Sequence, residues 1–341
     1  MGIAMKRFGL SVAAVVALTG SAFAADMPVK AVKAPPPVVV TPWDIAFGSA
    51  LMNDYIFRGV TQSNHKPSVA GYFEGRYNVN DTLQLYLGAA GESISFANRA
   101  AAEIDIYGGI RPTFGAFAFD FGVWGYLYPG GTCYYGAPVD TAGRVLSNEC
   151  ATNFLLNGNV IKKDVSFYEV FGKVTYTIND MWAIGLNEYY SPNFLNTGAY
   201  GNYASGTVKF TAPGSFFGTS GIGMYASGEF GRQWLGRSDS FYGTAIPSPL
   251  GGGPFPFGIP YKSYNTWNAG LGFTYKALTL DLRYSSTDLN RGDCNAFTSD
   301  HTASAARPSF TPINPTGVAS TWCGDAYVAK FSVDTTLNAL K

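Results

Sequence analysis

The side chains of this sequence that could do chemistry are carboxylates and cations set at alternate positions of otherwise apolar runs. In AEIDIYGGIRP, Glu103 and Asp105 stand two residues apart, a spacing that turns both carboxylates to one face of a strand, where such a pair could divide acid and base roles. A wall that faces water carries the same spacing without any catalysis. Nothing completes a catalytic set. His65 and His301 are the only histidines, both fall in segments read as loops, and no GxSxG or comparable motif accompanies them. The four cysteines show no CxxC spacing and the histidines no HxxxH spacing, so zinc ligation has no foothold. The chain is therefore read as no enzyme, with no cofactor and no metal.

The elements that hold these charges alternate with period 2. In EIDIYGGIR, Glu103, Asp105, Tyr107 and Arg111 share one face while Ile104, Ile106 and Ile110 share the other. FAFDFGVWGYLY sets Phe117, Phe119, Phe121, Val123 and Leu127 against Asp120, Trp124 and Tyr126, and LTLDLRY sets Leu278, Leu280 and Leu282 against Asp281 and Arg283. Hydrophobic residues make up 47% of the chain, yet charged residues are only 13%, about half the globular norm of roughly 25%. Lys+Arg and Asp+Glu both number 23, which removes the basic footprint of a nucleic-acid binder. Aromatics at 16% and 41 glycines fit strands whose two faces meet different media.

Which media follows from the ends of the elements. Met5-Lys6-Arg7, the apolar stretch Phe8 to Leu18 and Ala22-Phe23-Ala24 have the order of a cleavable signal peptide over residues 1–24. Residues 25–42 form a Pro-rich linker, and no later run of 18 apolar residues could make a spanning helix. From residue 43 to 341, twelve strands are expected, near 43–51, 68–77, 82–90, 102–110, 116–128, 166–177, 181–190, 202–210, 220–231, 263–275, 277–286 and 326–335, with ten or fourteen as alternatives. The even-numbered connections are the short ones. That parity puts every long loop on one side, as in a transmembrane antiparallel up-and-down β-barrel and unlike a soluble sandwich. Cys133 and Cys150 fall in the third long loop and Cys294 and Cys323 in the sixth, so the simplest pairing is one disulfide per loop, stabilising by roughly 3 to 4 kcal/mol each. The last strand ends either at Phe331 or, in the same register, at Leu337.

With the apolar face outward, the charges face the lumen: Asp44, Glu74, Arg76, Glu103, Asp105, Arg111, Asp120, Glu169, Lys173, Lys209, Glu229, Asp281, Arg283, Lys330 and Asp334, nine carboxylates against six cations. Arg58, in the first long connection, either folds inward with Asp54 as a charged constriction or ties its loop to carboxylates on the wall. Tyr55, Phe57, Trp43, Tyr77, Tyr128, Trp182, Tyr190, Trp267, Tyr284 and Tyr327 lie near strand ends and are read as interfacial girdle residues.

The segments SALMNDYIFRGVTQSNHKPSVAGYFEGRY, EIDIYGGI, GVWGYLYPG and FYEVFGKVTY resemble, in order and spacing from about Trp43 through Leu289, the TorF family, classed as porins of Gram-negative outer membranes. The third and fifth loops are longer than the family's. The resemblance implies an outer-membrane barrel conducting small solutes. Taken with the residues, it makes this chain a porin-like channel for passive diffusion of small hydrophilic solutes or ions, located in the outer membrane. Its expected partners are membrane lipid, lipopolysaccharide, the export and barrel-assembly machinery, and no nucleic acid. The rival reading is a closed barrel that displays its long loops and conducts nothing, since barrels of eight strands are filled by side chains and only those of 16–18 leave a wide channel.

Overall fold

The computed structural model describes residues 42–135, 150 and 153–340. The expected signal peptide, the expected linker up to residue 41 and most of the tip of the third long loop lie outside the described residues.

Among the described residues there are fourteen strands: β1 (Trp43–Met52), β2 (Ile56–Phe57), β3 (Val60–Thr61), β4 (Ser68–Asn80), β5 (Leu83–Glu92), β6 (Glu103–Phe114), β7 (Phe117–Leu127), β8 (Phe167–Thr177), β9 (Trp182–Ser191), β10 (Gly201–Thr211), β11 (Ile222–Leu235), β12 (Tyr264–Tyr275), β13 (Leu278–Thr287) and β14 (Ala326–Thr336). β2 and β3 form a small hairpin of their own, and the other twelve close into an antiparallel barrel. All twelve coincide with the expected strands, within a few residues at their ends. Closure is made by β1, which pairs Met52 with Ser68 of β4 on one side and Ala46 with Thr336 of β14 on the other. β14 thus runs past Phe331, and Leu337 N donates to Ile45 O, so the longer of the two expected strand ends is the one formed.

The loop parity also holds. Tight turns at Asp81–Thr82, Gly115–Ala116 and Lys276–Ala277 join strands at one end, with Gly115 at φ 58° and Lys276 at φ 54°, the left-handed backbone that two-residue hairpins demand. The connections at the other end are longer, except that the β10–β11 connection at the short-turn end, 212–221, slightly exceeds the β9–β10 connection, 192–200. The last of them carries the helix α1 (Arg291–Thr298), started by the Asn290 side chain accepting from Gly292 N and Asp293 N.

Side-chain alternation decides the two faces. Leu51, Val69, Phe73, Leu87, Ile106, Val123, Leu186, Val208, Phe230, Leu271 and Leu282 are exposed around the outside. A continuous apolar belt of this kind is stable against lipid and a liability in water. Glu188 and Arg232 depart from the rule, facing outward near the long-loop ends of β9 and β11. The core lies inside the barrel and is aromatic: Tyr72, Tyr86, Tyr107, Trp124, Tyr126, Phe167, Phe171, Tyr189 and Tyr203 are buried there. Tyr107 stacks on Trp124 with centroids 4.0 Å apart, and Tyr126 on Phe167 at 4.4 Å. Gly88 makes room for this layer, because a Cβ there would sit 2.5 Å from the Tyr107 ring.

Cys133 bonds Cys150 and Cys294 bonds Cys323, each pair within a single long loop. Mass mapping of a non-reduced digest should yield these two cross-links and no link between Cys150 and Cys294. A peptide joining those two would disprove the loop assignment.

Candidate functional site

The first long loop does not stand outside the barrel. Asn53–Pro67 turns inward, and its β2–β3 hairpin enters the long-loop mouth with Arg58 and Gly59 at the tip, at φ 47° and 77°. Gly59 sits against β12 and β13: a Cβ would meet Thr266 Oγ1 and Thr287 Cβ at 2.9 Å. Arg58 accepts an unusual backbone for a non-glycine residue, and its side chain shows what holds it there. Nη1 and Nη2 donate to the two carboxylate oxygens of Glu169 on β8, both at 2.8 Å, and Nη1 also donates to Gln233 Oε1 on β11 at 3.0 Å. Both side chains of the ion pair are wholly removed from solvent. The rings of Phe57, Tyr189 and Tyr203 lie 4.4 to 5.0 Å from the guanidinium carbon, which adds cation–π attraction in a dry setting. Burial alone would lower the Arg58 pKa, but the Glu169 carboxylate overrides it and holds the guanidinium above its ordinary value.

A second set of contacts fixes the base of the loop. Asp54 accepts from the Thr61 and Ser63 hydroxyls and pairs with His65 Nδ1 at 2.8 Å, while His65 Nε2 meets Thr321 O at 2.9 Å. With an acceptor at each ring nitrogen, only the doubly protonated imidazole donates to both. The hydrogen bond to Asp54 accordingly raises the His65 pKa above 6.5, against a smaller opposing effect of burial. Thr61 N donates to Trp322 O, and Val60 bridges to Cys323, so the loop is stitched to the disulfide of the sixth long loop. Asp54, Ser63 and His65 are not a catalytic triad: Ser63 donates to Asp54 and to Lys66 O, and no imidazole nitrogen addresses its hydroxyl.

Above this layer, Phe297 of α1 packs against Phe194, Tyr261 and Tyr264. What remains between loops and barrel is an apolar cavity of about 60 Å³ lined by Phe57, Phe96, Tyr128, Phe167, Phe194, Phe297 and Trp322 among others.

Toward the short-turn end the lumen changes character. Glu74 accepts from Arg76 Nε at 2.6 Å and from both Arg111 terminal nitrogens at 2.7 and 2.9 Å. Asp120 lies 3.5 Å from Arg111 and 4.0 Å from Lys173, and accepts from Tyr86 Oη. On the other wall Arg283 binds Asp281, Asn268 and Ser227. The Arg76 and Arg283 side chains keep 19% and 24% exposure, so water reaches this layer. Asp44 sits at the rim, where it accepts from Asn338 N and fastens the end of the chain.

The structure thus gathers Arg58 with Glu169, and Glu74 with Arg76, Arg111, Asp120 and Lys173, while Asp281 and Arg283 form a separate pair. Glu103 and Asp105 join neither group and meet neither Arg76 nor Arg111. They are fully buried beside Glu92. Tyr55, Phe57 and Tyr128 are lumenal rather than girdle residues: Tyr55 and Tyr128 donate to Glu103, and Phe57 packs on Tyr126. Glu92 and Gln233 were missing from the sequence reading because the expected strands stopped at 90 and 231. Continuing the alternation two residues further would have added each to the inward face.

Residues 38–181 match the model of a family of bacterial proteins of unknown function, Gcw_chp. No curated protein matches the sequence. Among solved structures the chain is similar to a Pseudomonas aeruginosa FadL homologue, at 11% identity over 86% of this chain and 89% of that one with a TM-score of 0.40. An outer-membrane channel from Pseudomonas putida F1 gives 9% identity over 89% and 100% with a TM-score of 0.40. A loop-deletion mutant of OmpT, an outer membrane protein of Vibrio cholerae, gives 12% over 86% and 98% with a TM-score of 0.33. At these values no residue role carries over.

Replacing Arg58 by Ala leaves Glu169 buried with only the Tyr126 hydroxyl and no cationic partner, and should cost about 3–5 kcal/mol of barrel stability, read as a lower temperature at which the compact band of unheated protein converts to the unfolded band on a gel. Arg58→Met combined with Glu169→Leu removes both charges and should recover most of that loss. For His65 the sign is that of a raised folded-state pKa. Its contribution to anchoring the loop is complete below about pH 6.5 and is lost as pH rises through the folded value. The protection factors of the Tyr55 and Gln62 amides, which remove the intrinsic base catalysis of exchange, should therefore fall over that window, and in His65→Gln they should not change with pH.

Proposed function

We propose that this protein is an outer-membrane barrel whose lumen stands shut at the long-loop side, and that it admits small hydrophilic solutes or ions only when its first loop is released. The observation that carries this reading is the Arg58–Glu169 pair: a loop residue at the tip of a hairpin reaches into the lumen and is locked bidentately to the wall with no solvent exposure. Membrane location is supported by the exposed apolar belt, by barrel strands of 10 to 14 residues, by the one-sided long loops, and by the signal-peptide pattern. Long loops outside the cell follow from a first strand that enters from the periplasm. The likeness of DYIFRG and DIYGG to the TorF family supports the porin-like reading.

The wet layer around Glu74, Arg111 and Arg283 supplies the polar vestibule such a channel needs, and the loop supplies its gate. Lipid and lipopolysaccharide are the partners of the outer belt, with the barrel-assembly machinery inserting it. We read the chain as non-enzymatic, since the ring nitrogens of His65 meet Asp54 and Thr321 O rather than a hydroxyl or thiol, so the Ser63 hydroxyl beside Asp54 has no imidazole base.

Conductance of the refolded full chain in a planar bilayer tests the proposal. The unaltered protein should be silent or rarely open, whereas Arg58→Ala should show frequent openings. Steady ohmic conductance of the unaltered protein would show that the loop does not close the lumen. Silence of both proteins, with the compact band intact, would reject the gate in favour of a closed barrel that displays disulfide-tied loops.

A further inference from the structure

The carboxylates of Glu92, Glu103 and Asp105 point to a function that neither the gate nor the vestibule uses. Each offers an oxygen within 4.8 Å of the other two, and the side chains are 2%, 2% and 0% exposed. Glu92 closes β5 and Glu103 opens β6 directly opposite it, and Asp105 lies one inward position deeper on β6. Like charges facing each other across neighbouring strands repel, and burial multiplies the cost.

The usual remedies are missing. No Lys, Arg or His among the described residues pairs with any of the three. Both oxygens of Glu92 are buried with no hydrogen-bond partner, and Asp105, equally buried, has only the Trp124 indole N–H turned toward it, too poorly aligned for a full hydrogen bond. Only Glu103 is served, by the Tyr55 and Tyr128 hydroxyls at 2.7 and 2.8 Å. Those two bonds orient Glu103 and leave each of its oxygens a further lone pair.

We propose that these three residues bind one calcium ion at the long-loop end of the barrel wall. The donor set is all oxygen and anionic, which suits a hard cation and excludes the nitrogen and sulfur preferences of zinc or copper. A separation of up to 4.8 Å between ligand atoms fits an ion coordinated at about 2.3–2.6 Å. Calcium fits better than magnesium because the site is dry, and magnesium usually keeps several of its waters. The ion would join the ends of β5 and β6, and through the Tyr55 hydroxyl it would also brace the first loop.

The test uses the full chain folded in detergent and stripped with a chelator. Calcium titration by calorimetry should show one ion per barrel, with affinity in or above the range of about 10⁻⁴–10⁻³ M typical of extracellular modules. Terbium should luminesce when Trp or Tyr is excited, and calcium should quench that signal by displacement. Calcium should also raise the temperature at which the compact band unfolds. Asp105→Asn and Glu92→Gln, which keep shape and relieve repulsion, should each retain the compact band and weaken calcium binding at least tenfold. Binding unchanged in both variants would place the ion elsewhere and overturn the site. Equal affinity for magnesium would overturn the choice of ion. No ion bound at millimolar calcium, with the variants more stable than the parent in chelator, would show instead a cluster neutralised by protons.

Discussion

The buried pair of Arg58 and Glu169 is the constraint around which the interior is arranged. Two charges withdrawn from water are tolerated only when most of their hydrogen-bonding capacity is filled, and here two further strands add to the pair's own bonds, with Arg58 Nε left unpartnered. Gln233 on β11 and Tyr126 on β7 complete the polar contacts, at 3.0 and 3.2 Å, while Tyr189, Tyr203 and Phe57 wall off water. The loop backbone is bent to positive φ at Arg58 to present the guanidinium. The base of that loop must then be fixed with comparable firmness, or the cost of the bend would be relieved by withdrawal of the hairpin. Asp54, His65 and the bridge to Cys323 do this, which gives the Cys294–Cys323 disulfide a second role: it shapes the sixth loop, and the sixth loop holds the first.

The interior is layered by dielectric. At the long-loop end the lumen is aromatic and dry, and charge is either matched, as at Arg58, or concentrated with one sign, as at Glu92, Glu103 and Asp105. At the short-turn end the charges form branched networks. Glu74 serves two guanidiniums, and Asp120 lies close to both a guanidinium and an ammonium group, so loss of any one cation leaves each carboxylate another. Partial hydration also screens them, and such pairs are individually weak. In the channel proposed above, selection of solutes by charge would belong to the wet layer, and the dry layer would decide whether a path exists.

Much of this was legible in the sequence, for a reason that also explains what was not. A period of two residues is enforced wherever one strand face meets lipid and the other does not, and so all twelve barrel strands, their parity and the inward direction of Glu74, Glu103, Asp120, Glu169 and Asp281 follow from local pattern. The same rule misreads the aromatics of Asp54-Tyr55-Ile56-Phe57-Arg58, although Arg58 does turn inward onto a wall carboxylate, as expected for it. That stretch alternates as a strand end would, and its aromatics resemble a girdle, yet the partners that draw it inward, Glu169 and Gln233, lie 111 and 175 residues away. Long-range pairing leaves no local signature. Tyr128 is a different case: it continues the inward face of Asp120, Trp124 and Tyr126 in the expected strand 116–128, and only its place at the strand end suggested a girdle role.

The acidic cluster shows how a composition argument can conceal a site. A search for His and Cys spacings finds no metal ligands, and the excess of lumenal carboxylates over cations suggests a diffuse negative potential in a watery channel. Pairing removes most of that excess locally: Glu74, Asp120, Glu169 and Asp281 each have cationic partners. The unbalanced negative charge is not spread along the pore but collects at Glu92, Glu103 and Asp105, where water is absent. A field of that kind does little to select ions in transit. Its effect is on the chain itself, because β5, β6 and the first loop can approach as closely as they do only if something positive, a cation or protons, occupies the space between the three carboxylates.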